Sequence, residues 1–167
     1  MQNIDSLYLK IREILENARN KVYRTANFEM VLAYWNIGKE IVEEEQNGKG
    51  RADYGKQLMK GLSLRLTRDL GKVFSLSNLF NMRKFYQSYP IFQTVSGKLS
   101  WSHYCELLSI NDKDKRSFYE KESMDSKWSL SELKRQVDSS LYERLLLSEG
   151  KANKQKVLKL SSESQII

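Results

Sequence analysis

Cysteine, proline and histidine each occur once in 167 residues, and each scarcity closes off a class of protein. A single cysteine, Cys105, cannot form an internal disulfide, which excludes a disulfide-built secreted scaffold and fits a reducing cytoplasm. A single histidine, His103, stands two positions before that cysteine. Residues i and i+2 do not face each other on a helix, so the two make no nucleophile pair, and no second His or Cys completes a metal site. No metal and no cofactor are expected on these residues. One proline, Pro90, and eight glycines leave long stretches free of helix breakers. No stretch approaches the roughly 20 apolar residues of a membrane span. The start, MQNIDSLYLKIREIL, lacks the basic segment and unbroken apolar run of a secretory signal. Neither G-x-x-x-x-G-K-S/T nor G-x-G-x-x-G is present, and no repeat recurs at a fixed period. The acid pairs Asp112/Asp114 and Glu120/Glu122 are explained by a helix start and a solvent face, so no catalytic residue is assigned.

What is present is charge and helical periodicity. The chain is 40% hydrophobic and 29% charged with a formal net charge of +7, a composition suited to one buried domain with a tail. The positive excess is local. Residues 1–48 hold six basic and eight acidic groups, and residues 91–167 hold thirteen and eleven. Residues 49–90 hold nine Lys/Arg against Asp53 and Asp69, a net of +7. A concentrated basic patch is the electrostatic footprint of phosphate binding. The plainer alternative is a solvated helical face.

Read in order, the chain predicts helices throughout. Ile4, Leu7, Ile11, Ile14, Ala18 and Val22 step at helical spacing, with Asp5 placed to suit the helix dipole. Thr25-Ala26-Asn27 predicts an interruption, with Asn27 capping a second helix that carries Met30, Val31, Tyr34, Trp35, Ile37, Ile41 and Val42. Gln46 to Gly55 reads as a loop. Residues 91–99, IFQTVSGKL, suit either a small β-hairpin wing or a nine-residue loop. Ser100 and Asp112 predict helix caps, and Ser129-Leu130-Ser131-Glu132 reads as a capping box opening a helix that runs through Leu145 to an end at Gly150.

The stretch from Tyr54 to Pro90 has the outline of a helix-turn-helix. Leu58, Leu62 and Leu66 line one helix, and Gly71 is placed to take a left-handed conformation at its end. Ser75 is placed to cap the second helix, where Leu79, Met82 and Tyr86 share one face. In that reading Lys56, Lys60, Arg65, Arg68 and Lys72 hold phosphates, contacts that fix position and carry little sequence information. Ser77, Asn78, Asn81 and Lys84 reach base edges in a major groove. Arg83 is ambiguous, since it borders the apolar face and could pair with one of Glu43, Glu44 or Glu45. Trp35, Trp101, Trp128 and Tyr34 sit at core spacing, whereas Phe80 and Tyr89 read as more exposed.

Several of these segments together resemble a known family. VLAYWNIGKEI (31–41), YGKQLMKGLSLRL (54–66), FSLSNLFNMRKFYQSYP (74–90), LSWSHYCELLSI (99–110) and WSLSELKRQVDSSLYERL (128–145) are similar to the YhcG-like family. The resemblance implies a helical N-terminal domain that binds DNA, followed by a metal-dependent nuclease domain of the PD-(D/E)XK superfamily. It implies that KVLKLSSESQII (156–167) resembles the connector into that nuclease part, whose carboxylates and lysine are not among these 167 residues. The expected fold is mostly α, with a helical domain over 1–150, the helix pair at about 54–90 and a connector over 151–167. The expected function is DNA targeting without an active site of its own, in the cytoplasm and away from membranes. Duplex DNA is favoured over RNA as partner, with a homodimer and a C-terminal nuclease domain as further partners. The competing reading is a protein-interaction or dimerisation module whose basic face is merely solvated.

Overall fold

A computed structural model describes residues 2–48 and 52–148. Lys49 and Arg51 of the basic segment, the helix end expected at Gly150 and the connector 151–167 lie outside the described residues. Among those described, the chain is helical and contains no strand. The order is α1 (Gln2–Asn47), α2 (Ala52–Leu70), a 3-10 turn (Lys72–Phe74), α3 (Leu76–Ser88), a second 3-10 turn (Phe92–Thr94), α4 (Trp101–Leu108), α5 (Lys113–Asp125), α6 (Leu130–Asp138) and α7 (Leu141–Ser148).

The two helices expected before residue 47 are one. Thr25 does not break the run, because its hydroxyl donates to the Lys21 carbonyl one turn back at 2.9 Å and so stays inside the helical pattern. Among the described residues, only the second half of α1 meets the rest of the chain. Val31, Tyr34, Trp35 and Ile41 are buried, whereas the side chains of residues 4–26 are all exposed.

The core has two lobes with α3 between them. One gathers Val31, Trp35, Phe85, Tyr104, Leu107, Phe118, Tyr119 and Leu133. The other gathers Tyr34, Ile41, Met59, Leu79 and Met82. α3 supplies both because Leu79, Met82 and Phe85, spaced by three, spread its apolar stripe over two neighbours. Its most extensive packing is against α1. At that crossing Gly38 abuts the Met82 backbone, so that a Cβ there would fall inside the Met82 carbonyl oxygen and 2.8 Å from its carbon. The missing side chain lets the two backbones approach closely. Trp35 Nε1 then donates to the Tyr89 carbonyl at 2.6 Å, tying α1 to the end of α3.

Of the two alternatives at residues 91–99 one is present, and two further expectations are corrected. Residues 91–99 hold the short 3-10 turn and no hairpin, so they form the loop rather than the wing. Tyr89 is buried, its hydroxyl donating to Glu120 at 2.8 Å, and is not free to stack on a base. The helix expected from Leu130 to Leu145 breaks at Ser139-Ser140, where Ser140 takes φ 59°. Tyr119 stabilises the break: its hydroxyl accepts from the Tyr142 amide at 3.1 Å and donates to the Gln136 carbonyl at 3.3 Å. The Tyr142 amide is a group that a helix start would otherwise leave without a partner, and the Gln136 carbonyl accepts from the Ser139 hydroxyl as well, at 3.2 Å.

Apart from the one at Asn27, the expected helix starts are present. Ser75, Ser100, Asp112 and Ser129 all accept backbone N–H groups from the turn they open. At Ser129 only half of the capping box forms, because Glu132 turns to Arg135 and Gln136 instead of reaching back.

Candidate nucleic-acid interface

The link between α2 and α3 is held by side chains of α2. Gly71 has φ 107° and ψ −178°, a region essentially confined to glycine, and its N–H donates to the Thr67 carbonyl at 3.0 Å. The expected positive φ is present, with an extended ψ in place of the left-handed helical one. Ser63 and Thr67 both donate to the Phe74 carbonyl, at 3.0 and 3.1 Å, which clamps the 3-10 turn onto α2. Ser75 caps α3 by accepting from the Asn78 N–H at 3.2 Å. The link from Gly71 to Ser75 contains that 3-10 turn and is longer than the 3–4 residues joining a helix-turn-helix pair.

Lys56, Lys60, Arg65, Arg68 and Lys72 are all exposed, and they do not share one face. At about 100° per residue, Lys56 and Lys60 project some 40° apart, and Arg65 lies about 140° beyond Lys60. Arg65 therefore borders the groove that Leu58, Leu62 and Leu66 form with α1. Arg68 is engaged by Asp69 at 2.9 Å in an exposed pair of the kind that contributes little to stability. Lys56 stands at the junction with α3. It lines a cleft of about 290 Å³ with Met59 of its own helix, Phe80 and Arg83 of α3 and Glu45 of α1. In that cleft Arg83 Nε donates to Glu45 at 2.7 Å, which resolves the ambiguity over Arg83 in favour of an ion pair.

Along α3 the outward face carries Ser77, Phe80, Asn81, Lys84 and Gln87, opposite the buried Leu79, Met82 and Phe85. Phe80 is 44% exposed, which no core role requires. Asn78 is turned the other way. Its amide nitrogen donates to the Val73 carbonyl, and its amide oxygen accepts from Trp101 Nε1 at 3.0 Å. Both ends of that side chain hold the fold, so Asn78 buttresses α3 and does not stand on its outward face. Lys84 reaches Asn111 at 3.5 Å, and Asn81 stands near enough to the Cys105 thiol to favour its ionised form. Burial pushes that thiol up to about 11 against the opposing pull of Asn81, so it stays protonated and unreactive at neutral pH. Gln87, absent from the sequence-derived set, stands exposed one turn beyond Lys84, at the i+3 spacing that could have placed it.

The rest of the polar chemistry is structural. His103 Nε2 donates to the Trp128 carbonyl at 2.8 Å, and its Nδ1 lies 2.6 Å from the Ser100 hydroxyl at the start of α4. Since a carbonyl only accepts, the proton sits on Nε2. Among the described residues no three His, Cys, Asp or Glu stand close enough to hold a metal ion. No helix of the described residues is long and apolar enough to cross a membrane.

Comparison with known proteins places this arrangement. The protein named "Putative nuclease YhcG" of Escherichia coli (strain K12) is 38% identical over 174 aligned residues, which cover 85% of this chain and 46% of that protein. The chain thus spans about half the length of that curated relative. No solved structure matches. The sequence pattern of the DUF1016 N-terminal domain matches residues 10–144, from the exposed half of α1 into the first half of α7. The chain therefore belongs to the DUF1016 N-terminal domain family and is YhcG-like.

Proposed function

We propose that this chain is the DNA-binding, targeting part of a YhcG-like nuclease, with no active site of its own. The observation that carries the reading is the cleft that Lys56 of α2 lines together with Phe80 on the outward face of α3, with Lys60 one turn further along α2. Counted over 52–90 alone, seven Lys/Arg stand against two Asp, so the described part of the segment keeps a strong positive excess. Lys56, Lys60, Arg65 and Lys72 are exposed and enter none of the ion pairs among the described residues, which leaves them available to phosphates. Ser77, Asn81 and Lys84 face base edges, joined by Gln87, while Asn78 fixes the helix that presents them. Duplex DNA suits a helix presented this way, because its major groove admits one, whereas the major groove of an RNA helix is too deep and narrow. In this reading 1–150 is the targeting domain and 151–167 leads into a PD-(D/E)XK nuclease domain in the cytoplasm.

The test is fluorescence anisotropy with labelled duplex DNA across a salt series. With about four to five phosphates contacted, log K falls against log salt with a slope near −4. Lys56→Ala with Lys60→Ala reduces that slope by about 2 and weakens binding to all sequences alike. Flat anisotropy at low salt sinks the reading. A second reading, a protein-interaction or homodimerisation module, is favoured by one specific observation: the exposed apolar side chains along the first half of α1.

A further inference from the structure

The first half of α1 is an arm whose apolar stripe has nothing beside it among the described residues. Ile4, Leu7, Ile11, Ile14, Leu15 and Val22 are each between 48% and 71% exposed. On a helical wheel these residues centre about 175° from Val31, Tyr34, Trp35 and Ile41, the residues through which α1 grips the body. The stripe thus points away from the body, and no slight bend of α1 brings it into the core. A stripe of three to four apolar positions in every two turns is the pattern of a helix that packs against another helix.

We propose that this arm pairs antiparallel with the arm of a second copy of the chain. The inference rests on the interaction-module reading and is independent of DNA binding. Area, shape and charge each support that occupant. At roughly 100 Å² for each such side chain taken from water, the stripe offers about 600 Å² per copy, and the pair about 1,200 Å², the lower bound of a stable interface. Placed antiparallel about residue 13, Tyr8 falls opposite Ala18, Ile11 opposite Leu15, and Ile4 opposite Val22. Tyr8, at the edge of the stripe, thereby meets the small Ala18, while Leu7 and Ile14 fall opposite the stems of Arg19 and Arg12. Residues 4–16 carry Asp5, Glu13 and Glu16 against Lys10 and Arg12, while residues 17–26 carry only Arg19, Lys21 and Arg24. Antiparallel pairing sets the acidic end of one arm beside the basic end of the other. A parallel pair would place the two all-basic ends together. At the centre Arg12 is already neutralised by Glu16 at 2.9 Å, so the symmetric approach of the two Arg12 residues meets no net repulsion.

The experiment is light scattering behind size exclusion on the 167-residue chain, over a roughly hundredfold concentration range. The expected result is a shift from 19.6 kDa towards twice that mass as concentration rises. Ile11→Lys with Leu15→Lys should remain monomeric with the body's unfolding transition unchanged, because both side chains are exposed. A dimer that survives this variant keeps the interaction-module reading and overturns the arm as its interface. A wild-type chain that stays monomeric throughout overturns both, and leaves the stripe to the rest of a longer protein. Orientation is read in a Cys105→Ser background by oxidising Ile4→Cys and Val22→Cys proteins separately and mixed. Cross-linking in the mixture alone supports the antiparallel pair, and efficient cross-linking of Ile4→Cys with itself overturns it.

Discussion

Replacing Gly38 by alanine sets two principles against each other with opposite signs. By helix propensity alone the change stabilises a helix interior by about 0.5–1 kcal/mol, since glycine loses more backbone freedom on folding than alanine. By packing it is forbidden as the structure stands. The new Cβ would lie 2.8 Å from the Met82 carbonyl carbon and closer still to its oxygen, and the obstacle is backbone, not a side chain that can swing aside. Carbon atoms settle at roughly 3.5–4 Å, so α1 and α3 must separate by about 1 Å. A gap of that size forfeits a quarter to a half of each dispersion contact across it. The contacts at risk are those of Tyr34, Trp35, Leu79, Met82 and Phe85, which join the two lobes of the core. Overpacking of this kind costs about 3 kcal/mol, and after the propensity gain the net loss is about 2–2.5 kcal/mol. For a chain of this size that lowers Tm by roughly 5–10 °C. The internal control is Gly61→Ala in α2, where nothing stands within 4 Å of the new methyl. It should raise stability by about 0.5–1 kcal/mol. Urea unfolding of the three proteins decides the matter. If Gly38→Ala shifts the midpoint upward alongside Gly61→Ala, the close crossing of α1 and α3 is wrong.

Three further outcomes follow from named side chains. Burial holds the Glu120 carboxyl above its ordinary value, with the Tyr89 hydroxyl and Arg116 pulling only partly back. Because the folded value lies above the unfolded one, this group's contribution is fully present below the unfolded value and is lost as pH rises through the folded one. Glu120→Gln, which still accepts from Tyr89, should therefore flatten the decline in stability above about pH 4.5, as followed by thermal unfolding across pH. Tyr119→Phe removes the hydroxyl that serves both the Tyr142 amide and the Gln136 carbonyl; a loss of about 1–3 kcal/mol is expected, with the break between α6 and α7 the first region to open in hydrogen exchange. Ser75→Ala should cost about 1 kcal/mol through the lost cap of α3, and Ser75→Gly only a few tenths, by chemical denaturation.

Much of this fold could be read from the chain because caps and stripes are local. Ser75, Ser100, Asp112 and Ser129 open helices for reasons contained within four residues, and Leu79 and Met82 announce a buried face by spacing, although its third buried member is Phe85 and not Tyr86. The misreadings share a cause in distant contacts. Tyr89 looks exposed by pattern and is buried because Trp35, 54 positions earlier, donates to its carbonyl while Glu120 takes its hydroxyl. Ser139-Ser140 carries no glycine or proline to mark a break, and the turn is supported from outside by Tyr119. At the candidate interface, charge was legible and direction was not. Lys56 and Arg65 count equally in a local sum yet leave opposite flanks of α2, and Asn78 looks outward until Val73 and Trp101 are seen to hold it.

The unbroken course of α1 gives one helix two very different local stabilities. Its second half is locked by burial of Val31, Trp35 and Ile41, so its amides open only when the whole body unfolds. Its first half persists by propagation from that anchor, since extending a formed helix avoids the costly nucleation step, with Arg12 and Glu16 adding only an exposed side-chain pair. Amide protons should accordingly exchange progressively faster from Val31 back towards Ile4 along the same hydrogen-bonded ladder. Such a gradient would make the arm a reporter of its own surroundings, because anything that settles on its apolar stripe slows exchange there while leaving the anchored half unchanged.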